Sequence, residues 1–494
     1  MNRTTLEVRP DEPIGTISPR LYGWFAEHLG RSCYGGLWVG RDCQDIPHTG
    51  GFRNDVLAAL RGLPVPMIRW PGGCYADHYH WQDGIGPSTE RPRRLGMSCD
   101  LQVEDDNGLG THEFMQLCSM LGAEPYLAGN VGTGTPQELC DWLEYCNSRQ
   151  RTTLTERRAS NGAREPFNVR LWGVGNETWG CGGNYDPVTY AHEYRRYATM
   201  LRHVDRRAEL VVVGHHDDWN TKLLEALADH PYLIDHLSIH PYFFRGGAEV
   251  GFSVDDYYAL LAEVCEIEET IRRTAAIIDS VFGGRQQIGI AVDEWGVWHP
   301  EVRDFGPGAS QGRRPVTYEQ ASTLRDALTS ALVLAAFHRQ CNRVSLANQA
   351  HIVNLLQAPV MTEGNRMWCT PNYHVMRLHT PHIGATAVPI EHTTGDSLPN
   401  GTPAVSATAS RATASLAVTV VNAHFDRPAR VHLRGCTSSR TASAQIVAAE
   451  SAEAMNTADE PNRVQAKALE VHPDGTDSWY VELPPHAVAT LMFA

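Results

Sequence analysis

Leu171-Trp172-Gly173-Val174-Gly175-Asn176-Glu177 is an apolar run that ends abruptly on a polar pair. Residues 169–174 read as a buried strand, and Asn176-Glu177 fall where such a strand emerges into solvent. Ile288-Gly289-Ile290-Ala291-Val292-Asp293-Glu294-Trp295 repeats the pattern far downstream, again an apolar strand ending in acid. Two strand-end carboxylates so distant in sequence need a fold that gathers strand ends around one mouth. A (β/α)8 barrel does this.

Working outward, further strands are predicted at 21–28, 65–70, 124–128, 209–214, 234–240 and 343–348. Helical patterns separate them at 52–61, 111–121, from Pro136, from Pro187 to about 201, at 222–228, 254–280 and 319–340. Thr135 caps the helix at Pro136, and Glu138 closes a capping box. Near-continuous apolar strands alternating with helices favour a parallel sheet covered on both faces. No G-x-G-x-x-G follows the first strand, while Glu27, Glu177, His240 and Glu294 all stand at strand ends, so a closed barrel is favoured over an open sheet. After about Leu378 the helical signal gives way to short alternating runs at 415–421, 429–433, 479–483 and 488–493. The expected division is a TIM barrel over 15–380 and an antiparallel, jelly-roll-like β-sandwich over 381–494, joined by an N-terminal strand in 1–14. Residues 391–411 read as a loosely constrained connection.

A chain of 494 residues suits one large barrel with an appendage. Its 42% apolar content and its 12 Trp, 17 Tyr and 12 Phe supply both a core and stacking surfaces for a cleft. The net charge of -15 argues against nucleic acid or an anionic membrane as partner, because no phosphate-neutralising patch is present. The first residues carry no apolar signal core, and no run of roughly 18 apolar residues occurs, so a cytoplasmic protein is expected. The 12 cysteines are scattered without C-x-x-C or zinc-type spacing. They read as reduced thiols, with Cys33–Cys43 and Cys74–Cys181 the pairings an oxidised chain would use.

Glycosidic cleavage needs a proton for a poor leaving group and a nucleophile or activated water; two carboxyls in unequal surroundings supply both. Glu177, followed by Thr178-Trp179, is the better proton donor, and Glu294 is then the nucleophile. For a furanoside, Asn176 is placed to bond the hydroxyl beside the reacting carbon, with Glu27, Arg69 and Tyr242 holding other oxygens. Asp293, expected on the opposite strand face, would support. A lone Glu at a strand end is ordinarily a solvated terminus or an ion pair, so the pair carries the inference rather than either member. His78 with His80, His215-His216-Asp217 and His236 with His240 raise a metal alternative, but no three-ligand spacing compels it. No metal and no cofactor are expected. Trp24, Trp70, Trp81, Trp172, Trp179, Trp219, Trp295 and Trp298 crowd the strand ends, which suits stacking on sugar faces.

The ordered motifs Leu21-Tyr22-Gly23-Trp24-Phe25-Ala26-Glu27, Arg69-Trp70-Pro71-Gly72-Gly73-Cys74, Trp81-Gln82-Asp83-Gly84-Ile85-Gly86-Pro87, Gly173-Val174-Gly175-Asn176-Glu177, Ser238-Ile239-His240-Pro241-Tyr242, Asp293-Glu294-Trp295 and Ala347-Asn348-Gln349-Ala350-His351-Ile352-Val353-Asn354 run through the whole barrel. Together they resemble the family 51 glycoside hydrolases, α-L-arabinofuranosidases whose barrels carry the acid/base on strand four and the nucleophile on strand seven. The resemblance implies a retaining mechanism through a covalent arabinofuranosyl-enzyme. It assigns Glu177 as acid/base, Glu294 as nucleophile, Glu27 and Asn176 as sugar binders, Tyr242 as the tyrosine touching the nucleophile, and Arg69 and His240 as support. Cys74 stands where many members have Asn, and His351 where many have Gln; both would face the sugar, and a thiol is the weaker hydrogen-bond partner. The long 74–106 loop and Cys181-Gly182-Gly183 would narrow the cleft toward short oligosaccharides. Arabinofuranosyl polysaccharides and oligosaccharides are the implied partners, and a homo-oligomer, in many members a hexamer built from dimers, is the implied assembly.

The leading expectation is therefore an exo-acting α-L-arabinofuranosidase. Its rivals are a β-D-galactofuranosidase or a glucanase or xylanase on the same barrel, and a carbohydrate-binding protein that has lost catalysis.

Overall fold

The computed structural model describes residues 2–99, 101–306, 308–309, 317–436, 441–475 and 478–494. Eight parallel strands close into a barrel: Gly23–Phe25, Met67–Trp70, Glu124–Gly129, Leu171–Val174, Glu209–Val212, His236–Ser238, Gly289–Val297 and Val344–Ala350. Closure is direct, since Trp24 faces Ile68 of strand two and Gln349 of strand eight. Met67, Tyr126, Leu171, Val211, Ala291 and Leu346 form a buried apolar cluster inside the ring. This plug leaves polar chemistry to the C-terminal strand ends.

Helices clothe the outside where the sequence starts them. The Thr135 side chain accepts the Glu138 N–H at 3.1 Å, and Asp186 accepts the Val188 and Thr189 N–H groups at 3.0 Å. Several spans differ from expectation, among them the helix expected over 222–228, which starts earlier as Asp217–Ala226. The first strand keeps only Gly23–Phe25, because Pro19–Tyr22 forms a 3₁₀ turn capped by Ser18. The helix expected over 254–280 is two, Val254–Cys265 and Ile267–Phe282, meeting at Glu266. The helix expected from 319 begins at Leu324, where Thr323 and Asp326 close a capping box. The 74–106 loop is built rather than loose: three 3₁₀ turns lead into a hairpin of Arg94–Ser98 with Leu101–Asp105.

The remaining chain folds into a five-stranded and a seven-stranded sheet packed face to face around Leu6, Val418, Val420, Val431, Leu433 and Leu491. Asn2–Val8 lies inside the five-stranded sheet, antiparallel to Ile390–Thr394 but parallel to Ala429–Arg434. The sandwich is thus not purely antiparallel. The boundary at residue 15 also moves, because Gly15–Thr16 pairs with Thr386–Val388 and belongs to the sandwich. The 391–411 segment, expected to be loose, contributes Ile390–Thr394 and Val405–Ala412. Helix Leu324–Arg339 is buried almost all round, barrel on one side and sandwich on the other. Among the described residues no helix is long and apolar enough to cross a membrane.

Candidate active site

Strand four ends at Val174, and Gly175 turns the chain with φ +89°. A side chain there would press on Val131 and Thr178, so glycine fits the turn on two counts. Glu177 follows at φ +39°, a left-handed conformation rare for a non-glycine residue. Its carbonyl accepts the N–H groups of Gly180 at 2.7 Å and Gly182 at 3.3 Å, folding the loop back under the carboxyl. Strand seven delivers Asp293 and Glu294, both buried. Asp293 does not point away, as strict alternation required. The ladder to strand eight shifts register between Val292 and Trp295, and both acids reach Arg69 and His240.

Arg69 ties the two strand ends together: Nη1 donates to Glu294 Oε1 at 2.7 Å and Nη2 to Asn176 Oδ1 at 2.6 Å. Tyr242 donates its hydroxyl to Glu294 Oε2 at 2.8 Å. His240 Nδ1 lies 2.8 Å from Glu177 Oε1 and 3.7 Å from Glu294 Oε2, and its Nε2 lies 3.2 Å from Asp293 Oδ1. Asp293 also accepts the hydroxyls of Tyr126 at 2.7 Å and Ser238 at 2.5 Å. Ligating atoms of Glu177, His240 and Glu294 fall within 4.8 Å of one another. That spacing suits two carboxyls attacking and protonating across one glycosidic carbon.

The protonation states follow from this crowding. Burial pushes Glu177 up, and the charge on Glu294 adds to it against the pull of His240. Burial alone would lower His240, but Glu294, Asp293 and Glu177 together lift it to about 10, so it is an imidazolium at neutral pH. Asp293 is held below the usual carboxylate range despite its burial, by Arg69 and His240.

Across the pocket, Glu27 Oε1 accepts the N–H groups of Gly73 at 2.9 Å and Tyr75 at 3.2 Å and the Ser98 hydroxyl at 2.7 Å. His351 Nε2 lies 3.4 Å from Glu27 Oε2, its ring stacked on Phe25 with centroids 4.5 Å apart. Burial opposes the ionised form of Glu27, yet His351, Ser98 and the Tyr75 N–H outweigh it and lower its pKa. The resulting cavity of about 350 Å³ is lined by Glu27, Cys74, Asn176, Glu177, Tyr242, Glu294, Trp298 and His351; Arg69 and His240 stand behind it. A wider hollow of about 1250 Å³ lies among Glu209, His236, Gly289 and Val344, at the opposite, N-terminal strand ends, away from this carboxyl pair.

The alpha-L-arabinofuranosidase 1 domain matches residues 59–245, and the alpha-L-arabinofuranosidase C-terminal domain matches residues 293–487. The chain is 37% identical to an intracellular exo-alpha-L-arabinofuranosidase of Bacteroides ovatus, over 99% of this chain and 95% of that one. It superposes on the family 51 arabinofuranosidase of Xanthomonas axonopodis pv. citri with a TM-score of 0.92 at 34% identity, each chain covered in full. The chain belongs to glycoside hydrolase family 51. The arabinose complex of the Thermotoga maritima alpha-L-arabinofuranosidase matches this α-L-arabinofuranosidase with a TM-score of 0.88 at 30% identity, over 99% of both chains. A bifunctional glucanase-xylanase, CelM2, shares the fold at 14% identity and a TM-score of 0.60.

One expectation for this glycoside hydrolase needs correcting. Cys74 is no free thiol facing the sugar: it is disulfide-bonded to Cys181, with Cα atoms 5.5 Å apart. Ten other cysteines are free, Cys33 and Cys43 among them. The pairing joins the loop after strand two to the loop after strand four, and of the two pairings named for an oxidised chain it is the one that forms. The histidines offered as metal ligands also separate: among the described residues His78, His80, His215, His216 and Asp217 enter no three-ligand cluster, and His236 sits at the far end of the barrel. His240 does meet Glu177 and Glu294, through the contacts given above.

Sequence reasoning missed Ser98 and Tyr318, which reach the pocket from the hairpin and from the segment after strand seven. It also missed Asp77, buried to 1% exposure, whose carboxyl burial pushes up to about 7 against three backbone N–H donors. The Asp77 signal was faint, an acid four residues after a Gly-Gly turn in an otherwise apolar stretch.

Proposed function

We propose that this α-L-arabinofuranosidase is exo-acting and retaining, and that it removes terminal arabinofuranosyl groups from arabinoxylan, arabinan and their oligosaccharides. The observation that carries the reading is the carboxyl pair, Glu177 with Glu294, at the wall of a small cavity at the C-terminal strand ends. Glu294 attacks the anomeric carbon while Arg69 and Tyr242 hold its two oxygens. Glu177, whose hold on its proton is strengthened by burial and by Glu294, gives that proton to the leaving oxygen. Once Glu294 is esterified its charge is gone, so Glu177 loses a reason to hold its proton and becomes the base that activates water. Asn176, Glu27 and His351 bind ring hydroxyls, and Trp298 walls the mouth.

Hydrolysis of 4-nitrophenyl α-L-arabinofuranoside by Glu177→Ala and Glu294→Ala tests the roles. Azide should rescue Glu177→Ala with an α-azide product, through a second inversion at the glycosyl-enzyme. It should rescue Glu294→Ala with a β-azide, through a single inversion. The reverse assignment of products overturns the roles. Full activity on a β-D-galactofuranoside with none on the arabinoside overturns the substrate.

We further infer a cytoplasmic protein acting on no nucleic acid or membrane, supported by the intracellular relative in Bacteroides ovatus and by the chain's net charge of -15, and a homo-oligomer on the family resemblance alone. The Cys74–Cys181 disulfide pulls the other way, because cytosolic thiols are kept reduced. Thiol titration on freshly lysed cells weighs one against the other, and sedimentation equilibrium gives the subunit number.

A further inference from the structure

The acid/base is carried by a turn, and that turn is braced from outside the sugar pocket. A left-handed glutamate costs free energy and persists only where its surroundings over-determine it. Asp77 supplies much of that determination. Its Oδ1 accepts the N–H groups of Val131 and Gly132 at 2.8 Å each, from the loop after strand three. Its Oδ2 accepts the Asn176 N–H at 3.3 Å, immediately before Glu177. Its carbonyl accepts the Thr133 N–H at 3.2 Å and hydroxyl at 2.9 Å. One residue of the strand-two loop thereby pins the loops after strands three and four.

Three further facts point to the same contact. Gly182 closes over it so tightly that a Cβ would lie 2.1 Å from the Asn176 carbonyl oxygen and 2.7 Å from Asp77 Oδ2. The disulfide Cys74–Cys181 joins the same two loops, three residues before Asp77 and four after Glu177. Among the described residues Asp77 makes no ion pair although it is buried, Arg69 acting on it only through its field. A buried carboxyl group without an ion pair is a costly choice for mere packing. It makes sense as an acceptor for three converging amides. An asparagine offers one oxygen and would set its NH2 against the Asn176 N–H.

We propose that Asp77 is the positioning residue of the acid/base, fixing the Asn176-Glu177 turn so that the Glu177 carboxyl meets the leaving oxygen. It does not line the pocket and touches no substrate. The inference rests on Glu177 being the acid/base, and the test separates the two. A misplaced acid harms only reactions that need a proton, whereas general structural damage harms all of them alike.

The measurement is kcat/KM for Asp77→Asn on arabinosides of graded leaving group, from 2,4-dinitrophenol to a xylo-oligosaccharide, with the melting temperature and the inhibition constant of L-arabinose alongside. Expected is a loss of about 100-fold on the oligosaccharide, the scale of an ångström-sized misplacement. The dinitrophenyl arabinoside should be hydrolysed within threefold of wild type, and arabinose inhibition should not change. Equal loss on every leaving group, or none, overturns the proposal. Where Asp77→Asn fails to fold, Gly182→Ala perturbs the same contact and must give the same discrimination; equal losses there overturn it as well. Glu177→Ala is run in parallel. If its loss too is independent of leaving group, the acid assignment fails. If only Asp77→Asn and Gly182→Ala lack the dependence, the assignment stands and the positioning role falls.

Discussion

Tyr242 and Arg69 each hold one oxygen of Glu294, and removing the tyrosine donor leaves the carboxylate fixed at one end only. A hydrogen bond to a charged group is worth about 1.5–3 kcal/mol. Tyr242→Phe should therefore lower kcat by roughly ten- to a hundredfold with the melting temperature little changed, readable from steady-state kinetics beside a thermal melt. The coupling between the two acids predicts a second outcome. Glu294→Gln removes a charge that raises Glu177, so Glu177 should titrate at lower pH in that variant than in wild type, by carboxyl ¹³C resonances. No movement, or movement upward, would show that burial alone sets its proton affinity. Glu177, Glu294 and Asn176 were legible because strand-end polarity after an apolar run is a local pattern. Asp77 and Ser98 were not, because each acts on a loop distant in sequence, and the Cys74–Cys181 link stood only as one of two pairings beside an expectation of reduced thiols. The inward turn of Asp293 escaped for another reason: a register shift is a property of two strands and leaves no mark on one.

Helix Leu324–Arg339 and the turn Thr380–His382 meet the sandwich through histidines rather than through apolar groups alone. His338 lies 3.0 Å from the Thr408 hydroxyl and 2.7 Å from that of Tyr22; His382 lies 2.8 Å from both Ser410 and Thr419. With His379 their ring centroids sit 5.0 to 6.4 Å apart in a fully buried seam. Burial holds all three below the ordinary imidazole value, His379 at about 4, and crowding lowers His338 further. The unfolded chain thus binds protons that the folded one refuses. Stability is complete above about pH 6.5 and falls as the pH drops toward 4, each histidine contributing up to about 1.4 kcal/mol per pH unit. Calorimetry between pH 7 and 5 should show a steeply falling melting temperature, flattened in His382→Gln if that variant folds. A flat wild-type curve would remove the seam from the acid response. At this scale the sequence displayed the alternation of strands and helices but blurred their ends. A kink at Glu266 costs no apolar periodicity, and the hairpin at 94–105 has exposed positions such as Leu95 where a buried strand would show alternation.

Barrel and sandwich share helix Leu324–Arg339, whose first turn is closed by the sandwich: Leu324 N donates to Ala454 O and Arg325 N to Ala452 O, both at 2.9 Å. Truncation after Thr380 strips that helix of one apolar face, and loss of soluble barrel is the expected result, measured as yield after centrifugation. Deleting residues 2–8 should act from the opposite end of the chain. Asn2–Val8 is an interior strand, so its loss exposes two edges and should lower the melting temperature while leaving residual kcat on 4-nitrophenyl arabinoside intact at low temperature. The barrel was readable at this scale because its period repeats; the place of the first strand was not, since its partners lie nearly the whole sequence away. That pairing has a consequence for a cut chain. With its beginning laced between strands of its final domain, the polypeptide is a closed ring held by hydrogen bonds at one point. A protease that nicks a barrel loop opens the ring without freeing either piece. The two fragments should part on a denaturing gel and still elute together, as one particle of unchanged size, in native buffer.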